Sequence, residues 1–239
     1  MPPSSVATRE WVGKDGFLVN ARLSALGLRH GFTTKKMGSM KLEPRRREAA
    51  AILGLSAPLT LNQVHGTKIL PATPENDGLQ GDGWIIDRPG VCAAVYAADC
   101  VPLYLWSDDA KAAGVFHAGW RGTAAGMAKA AVAAFARLGV SAAKLSAAAG
   151  PHIGACCFKV GSELEKDFAP YAFLRRDEGL HLDLAAVTRR QLLEAGLRSG
   201  SVVTDAPCTV CGCADYFSFR RDKQDARMLA LLSLERWPS

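Results

Sequence analysis

Three residues stand where short apolar runs break into glycine- or proline-containing turns: His65 in NQVHG, Cys100 in AADCVP and His117 in VFHAGWRG. Two imidazoles and a thiolate are good ligands for Zn2+, and three protein ligands with a fourth position left for water make a catalytic rather than a structural arrangement. A zinc ion so held lowers the pKa of its water to about 7 and supplies hydroxide at neutral pH. The same donor set suits Cu2+, which competes well for imidazole and sulfur. A metal-free chemistry uses the same residues, with Cys100 as nucleophile and His117 as its base, as in a cysteine hydrolase or deamidase. Taken singly, a His or Cys at a strand end is more often a turn or core residue. The spacing also follows no compact metal signature such as HExxH.

The elements that must position these residues follow from periodicity and turn signals. Residues 43–55 carry good helix formers and a closing Gly54, which predicts a helix. LTLNQVHGTKIL (59–70) reads as a strand that leads to His65. GWIID, VCAAVYAA, VPLYLW and AAGVFHA are short apolar runs separated by turns, the pattern of strands covered on both faces. The Ala-rich AAGMAKAAVAAFARLG predicts a helix ending at Gly139, and KLSAAAG a buried strand. Helices are expected around 162–168 and 183–194, the second opened by Asp183 as N-cap, and strands at SVVTD and ARMLALLSL. Strands alternating with helices, with hairpin-like spacing in the middle, imply an α/β (α+β) fold with a mixed sheet and helices on both faces. No internal repeat or linker divides the chain, so residues 1–239 are expected to form a single domain.

The 239 residues are 49% hydrophobic and 22% charged, the profile of a chain that buries a core rather than of a disordered one. The net charge of +6 is mild; the Arg45–Arg47, Arg175-Arg176 and Arg189-Arg190 runs read as solvated faces. A basic surface favours a small anionic substrate, and neither a zinc-finger nor an RNA-binding signature accompanies it, so no nucleic-acid partner is expected. No apolar run has the roughly 18 residues needed to cross a bilayer, and the N-terminus has no signal-peptide core. A cytoplasmic protein without a membrane partner is therefore expected. Its seven cysteines, an odd count, read as reduced thiols. CTVCGC (208–213) looks like half a zinc site, but the only other pair is the adjacent Cys156-Cys157, a poor chelating pair. It reads as a tight turn, with a second metal site as the alternative. Cys92 reads as core, and His152 as either a pocket-lining or a turn residue.

NQVHG, GDGWI, AADCVPLYL, HAGWRGTAAG and GPHIGACCFKVG, in this order, resemble the bacterial laccase-domain family. Its members are named multicopper-oxidoreductase-type purine nucleoside phosphorylase, polyphenol oxidase or peptidoglycan editing factor. The resemblance runs from about Phe32 to Met228 and includes Cys208-Thr209, Phe217 to Asp222 and Arg227-Met228. It implies that His65, Cys100 and His117 are the metal ligands. It also implies a three-layer α/β/α fold with a mixed sheet, related to cysteine-dependent toxin deamidases. The implied activity is phosphorolysis of adenosine, inosine and methylthioadenosine, with adenosine deamination beside it. Zinc is the implied metal, with copper as the alternative. Two departures, Lys35 where an arginine is usual and Ala226 where a glycine is usual, touch peripheral contacts rather than the metal centre.

On that reading Asp99, or Asp82, is the carboxylate nearest in sequence to act as proton shuttle. Arg121, with Arg220 or Arg221, would cradle phosphate, although Arg121 serves equally well as a helix-capping or pairing residue. Trp120 or Phe217 would stack on the purine, and amides at the start of the Ala-rich helix would add a positive field. Five histidines cannot fill a multicopper cluster, which weighs against the oxidase name. No residue points to muropeptide binding, which weighs against a non-enzymatic editing role.

Overall fold

A computed structural model describes residues 10–212 and 214–237, and its elements follow in chain order. They are β1 (Trp11–Lys14), β2 (Phe17–Asn20), α1 (Ala21–Ala25), β3 (Leu28–Thr33), α2 (Glu43–Ile52), β4 (Ile69–Pro71), β5 (Gly83–Ile86), β6 (Ala93–Ala97) and β7 (Val101–Ser107). Next come β8 (Ala113–Ala118), α3 (Trp120–Ala124), α4 (Met127–Arg137), β9 (Leu145–Ala149), β10 (Lys159–Val160), β11 (Phe173–Arg176) and β12 (Gly179–Leu182). The chain ends through α5 (Leu184–Glu194), β13 (Val202–Val203), α6 (Phe219–Asp222) and β14 (Met228–Arg236).

Two sheets stack face to face. One is antiparallel, in the order β1-β2-β3-β14-β6; the other is mixed, in the order β13-β9-β7-β8-β5-β4, with parallel pairs at both edges. The alternation along the strands explains the stacking. In β14, Met228, Ala230, Leu232 and Leu234 enter the core between the sheets, while Leu229 and Leu231 face α2. In β7, Tyr104 and Trp106 point into the same inner core, while Val101, Leu103 and Leu105 face α4 and α5. The order is therefore helix, sheet, sheet, helix, four layers where three were expected. An apolar run covered on both faces does not say whether its cover is a helix or a second sheet. Here aromatic side chains with a polar handle fasten sheet to sheet. Trp84 donates to the Ala94 carbonyl (3.1 Å), Tyr104 to Gly31 (3.1 Å) and Trp11 to Ala149 (2.9 Å).

α2, α5 and β5 to β9 lie where the sequence places them. Asp183 caps α5 by accepting from the Ala186 amide, and the arginines of α2 pair with Glu43 and Glu48 on its exposed face. The Ala-rich stretch forms the expected helix, α4, entered through Gly126 at a left-handed φ of +87° and ending just before Gly139, with the short α3 in the WRGTA segment ahead of it. Two expectations fail locally. Around 162–168 only a single 3-10 turn forms, although Leu164 and Phe168, at helical spacing, are both buried. Residues 59–70 make isolated bridges at Leu59 and Asn62 and join a strand only at Ile69, because a buried carboxylate takes the amides a ladder would use.

Candidate active site

That carboxylate is Asp82, on the strand-entry motif GDGWI and fully buried. Oδ1 accepts from the His65 amide (2.8 Å) and from His117 Nδ1 (2.9 Å), and Oδ2 accepts from the amides of Gly66 (2.8 Å) and Val64 (3.2 Å). The loop curls around it so tightly that His65 adopts a left-handed φ of +62°, uncommon for a residue with a side chain. Burial pushes the Asp82 carboxyl up, yet the bonds from His117 and the loop amides outweigh it and hold the acid below its ordinary range. A carboxylate behind a ligating imidazole fixes its tautomer and leaves the other ring nitrogen facing outward.

His117 is buried near the end of β8, in register with Pro102 of β7. Its neighbour Phe116 lies across Gly83 and Gly114, where an added Cβ would come within 2.5 Å of the ring. Those glycines seat the ring that holds the end of β8. Cys100 sits in the β6–β7 turn, after Asp99 at a left-handed φ of +86°. The His65 and His117 rings meet edge to face at 4.8 Å, and one ligand atom from each of His65, Cys100 and His117 lies within 4.8 Å of the others.

Gly119 reports what the three residues enclose. A Cβ there would stand 2.8 Å from His65 Cδ2, 3.0 Å from Cys100 Sγ and 3.6 Å from His117 Cε1. The HAGWRG glycine keeps open a cradle onto which all three side chains converge. The donors, two imidazoles and a sulfur, fit a tetrahedral ion with one position free. Burial raises the Cys100 thiol, but the charge and hydrogen bond of His117, then His65, overcome it and bring its pKa down to about 6. Burial lowers His117, but Cys100 and Asp82 overcome that and raise it to about 9. Without a metal the pair is a thiolate and an imidazolium near neutrality.

The triad opens into a cavity of about 970 Å3. Its wall carries Arg121, Lys159, Arg220 and Lys223, which have no carboxylate partner among the described residues. The aromatic lining is Tyr96, Trp120, Phe158 and Phe219, with the Arg121 guanidinium 4.3 Å above the Trp120 ring and that of Arg220 5.0 Å from Phe158. Such a basic, aromatic-walled cavity suits a planar ring carrying or meeting an anion.

The other expected site residues divide. Arg121, Arg220 and Trp120 reach the cavity. Arg221 does not: it donates to the carbonyls of Thr209, Val210 and Tyr216 and pairs with Asp222, bracing the C-terminal loop. Phe217 lies under Lys35 (5.6 Å), away from the cavity wall. Asp99 touches the cavity, but Oδ1 accepts from Thr209 (2.6 Å) and Oδ2 from Ser218 (3.0 Å) and the Arg220 amide (2.7 Å). It is a clamp on the wall rather than a free proton carrier. His152 is a buried turn residue bonded to the Gly150 carbonyl. Sequence reasoning missed Phe158 and Lys159, although both lie in GPHIGACCFKVG, and Glu163, for which no motif gave a signal. The Glu163 side chain has no hydrogen-bond or ion-pair partner among the described residues, and it faces the cavity.

Residues 30–235 match the family described as multi-copper polyphenol oxidoreductase laccase. The chain belongs to this family. A purine nucleoside phosphorylase of Deinococcus radiodurans is 33% identical over 90% of this chain and 92% of its own. A protein named adenosine deaminase RL5, from an unknown prokaryotic organism, is 34% identical over 64% of this chain and 62% of its own. The crystal structure of YlmD from Geobacillus stearothermophilus superposes with a TM-score of 0.86 at 29% identity, covering 96% of this chain and 99% of that one. This laccase-family chain shares with such structures a single-domain α+β fold with a mixed sheet. No helix among its described residues is long and apolar enough to cross a membrane.

Proposed function

We propose that this chain is a metal-dependent purine nucleoside phosphorylase, acting on adenosine, inosine and methylthioadenosine, that also deaminates adenosine. The observation that carries the reading is the convergence of His65, Cys100 and His117 around Gly119 at the base of a basic, aromatic-walled cavity. Relatives named purine nucleoside phosphorylase and adenosine deaminase support it. His65, Cys100 and His117 would hold the ion, zinc in preference to copper. When bound, it supplies a Lewis acid and a water whose pKa is about 7.

The rest of the chemistry belongs to the chain. In phosphorolysis a phosphate oxygen attacks the ribose C1′, the bond from C1′ to the base breaks, and the base leaves with the electron pair and takes a proton. Arg121 and Arg220 hold the phosphate, with Lys159 adding positive charge. Trp120 and Phe158 flank the base and exclude water. Glu163 is the unengaged carboxylate that would relay a proton from the attacking dihydrogen phosphate to the departing base. In deamination water adds at the purine C6 and ammonia departs, and the same carboxylate would move the proton between them. Asp99 enters as the positioning residue that ties the Ser218–Arg220 wall to Cys100. Free thiols at the described cysteines suit a cytoplasmic enzyme.

The test is product analysis with adenosine, inosine and methylthioadenosine, with and without phosphate, on metal-replete protein. Free base with ribose 1-phosphate, or inosine from adenosine, is the expected result. No base release and no deamination would sink the proposal.

A second reading has its own observation, the polarised Cys100–His117 pair oriented by Asp82, as in a cysteine hydrolase or deamidase. Activity that survives thorough chelation but is lost on thiol alkylation would favour it. A stoichiometric metal lost in both Cys100→Ala and His65→Ala would exclude it.

A further inference from the structure

We propose that Cys156, Cys157, Cys208 and Cys211 form a second, closed metal centre that takes one Zn2+ in an all-thiolate tetrahedron. The inference does not depend on the reaction at the cavity floor. The four sulfurs come from two turns more than 50 residues apart, and all lie within 4.8 Å of one another. Cys211 Sγ is 3.6 Å from Cys156 Sγ and 3.4 Å from Cys157 Sγ. With zinc–sulfur bonds of about 2.3 Å, a regular tetrahedron has sulfur–sulfur edges of about 3.8 Å. A disulfide needs about 2.05 Å, and one bond from Cys211 could satisfy only one of its two near neighbours.

Adjacent cysteines are a poor chelating pair in an extended chain, because their side chains diverge. The turn after Gly154 removes that objection. The amides of Cys157 and Phe158 both donate to the Gly154 carbonyl, His181 Nδ1 bonds to the Ala155 carbonyl (2.8 Å), and both thiols are turned toward Cys211. The opposing pair, Cys208-Thr209-Val210-Cys211, has the two-residue spacing usual for half a zinc site. The Gly154 amide donates to Cys208 Sγ (3.3 Å), and the amides of Val210 and Cys211 also face that sulfur. Amides gathered on a sulfur are what orient and stabilise a ligating thiolate. A Cβ at Gly154 would stand 3.1 Å from Cys156 Sγ and 3.4 Å from Cys208 Cβ, so the glycine makes room for the cluster.

Four soft ligands leave no open position, so the ion is structural. It would cross-link the turn leading to Phe158 and Lys159 on the cavity wall with the turn carrying Thr209, whose hydroxyl holds Asp99 beside Cys100. The cluster would thereby hold two parts of the cavity wall together from behind.

The test uses the full chain, purified under reducing conditions without added metal. His65→Ala/His117→Ala protein is expected to keep one zinc per chain, and a further Cys208→Ser/Cys211→Ser change to remove it. Reconstituted with Co2+ alone, the His65→Ala/His117→Ala protein should show the strong sulfur-to-cobalt charge-transfer absorption of a tetrahedral thiolate site. That spectrum keeps the test decisive even where the cysteine variant fails to fold. Stripping the zinc should raise the rate of limited proteolysis in residues 153–161 by about tenfold, in line with a lost local constraint. A His65→Ala/His117→Ala protein without stoichiometric metal or charge-transfer bands would overturn the proposal. So would a disulfide within the cluster in the freshly purified protein, or iron in place of zinc.

Discussion

The histidine-cysteine triad lines the cavity and the four-cysteine cluster does not, and the two are built on opposite plans. The triad draws its residues from a loop, a turn and a strand, all organised by one buried carboxylate, and it faces an open cavity. The cluster draws its sulfurs from two surface turns and is held by backbone amides. A centre meant to bind substrate needs rigid ligands and a vacant position; a centre meant to hold loops needs a full set of ligands and little else.

Asp82→Ala should be the most damaging change in the comparison. It leaves three amides and an imidazole nitrogen without their acceptor, at a cost of at least about 3 kcal/mol, measurable by urea unfolding. The milder Asp82→Asn should weaken metal binding by about 10–100-fold in a competition titration, with the Cys156–Cys211 cluster unaffected. Equal loss at both centres would break the contrast.

Gly119→Ala and Gly154→Ala probe the two cradles with the same added methyl group. At Gly119 the nearest atoms are ring carbon and sulfur of fixed side chains, at 2.8 and 3.0 Å, so activity should fall about 100-fold, equivalent to roughly 2.7 kcal/mol. At Gly154 the nearest atom is the Cys156 sulfur at 3.1 Å, which belongs to the cluster and not to the triad. Activity there should change less than about threefold. Comparable losses in kcat/KM would show that the cluster reaches the reaction itself.

Neighbouring arginines sharpen the comparison within the wall. Arg121→Ala and Arg220→Ala should raise the KM for phosphate about tenfold, since each removes one charge-assisted contact. Arg221→Ala should leave that KM nearly unchanged and cost about 1–2 kcal/mol of stability, because its partners are loop carbonyls and Asp222, away from the cavity.

The smallest effect concerns titration. In metal-free protein Cys100 should be alkylated with a midpoint near pH 6, ahead of the more exposed Cys156, whose pKa burial and Cys208 push up to about 12. A midpoint near the ordinary thiol value would dismiss the ion pair. The sign for stability follows from linkage. Cys100's share is complete above its ordinary value of 9.0 and is lost as pH falls through about 6. His117's share is complete below 6.5 and is lost as pH rises through about 9. Because each shift is caused largely by the other group's charge, the thiolate–imidazolium pair exists only between about pH 6 and 9, and the melting advantage of metal-free wild type over Cys100→Ser should be largest in that window.

Much of the His65–Cys100–His117 triad was legible because its residues occupy conspicuous local settings. His117 ends a clean apolar strand, and Cys100 breaks two such strands apart. The role of Asp82 was half legible: it is a candidate carboxylate in GDGWI, but its four hydrogen bonds come from residues 16 to 35 positions away. Glu163 carries no motif, and Phe158 lies in GPHIGACCFKVG with nothing local to mark its role; both matter because their loop forms the cavity wall. Cys156-Cys157 misled for the opposite reason, since adjacency in sequence suggests divergence until the Gly154 turn is known.

By itself the sequence determined the strand and helix content of the middle of the chain, the pairing of apolar runs with turns, and the residue types able to bind a metal. Those are properties of periodicity and side-chain chemistry, and both are local. Tertiary structure alone decided that two sheets face each other, that Asp82 rather than Asp99 stands behind His117, and that four distant thiols meet. Each of those depends on contacts between residues far apart in the chain, where the identity of the partner is set by packing and not by spacing.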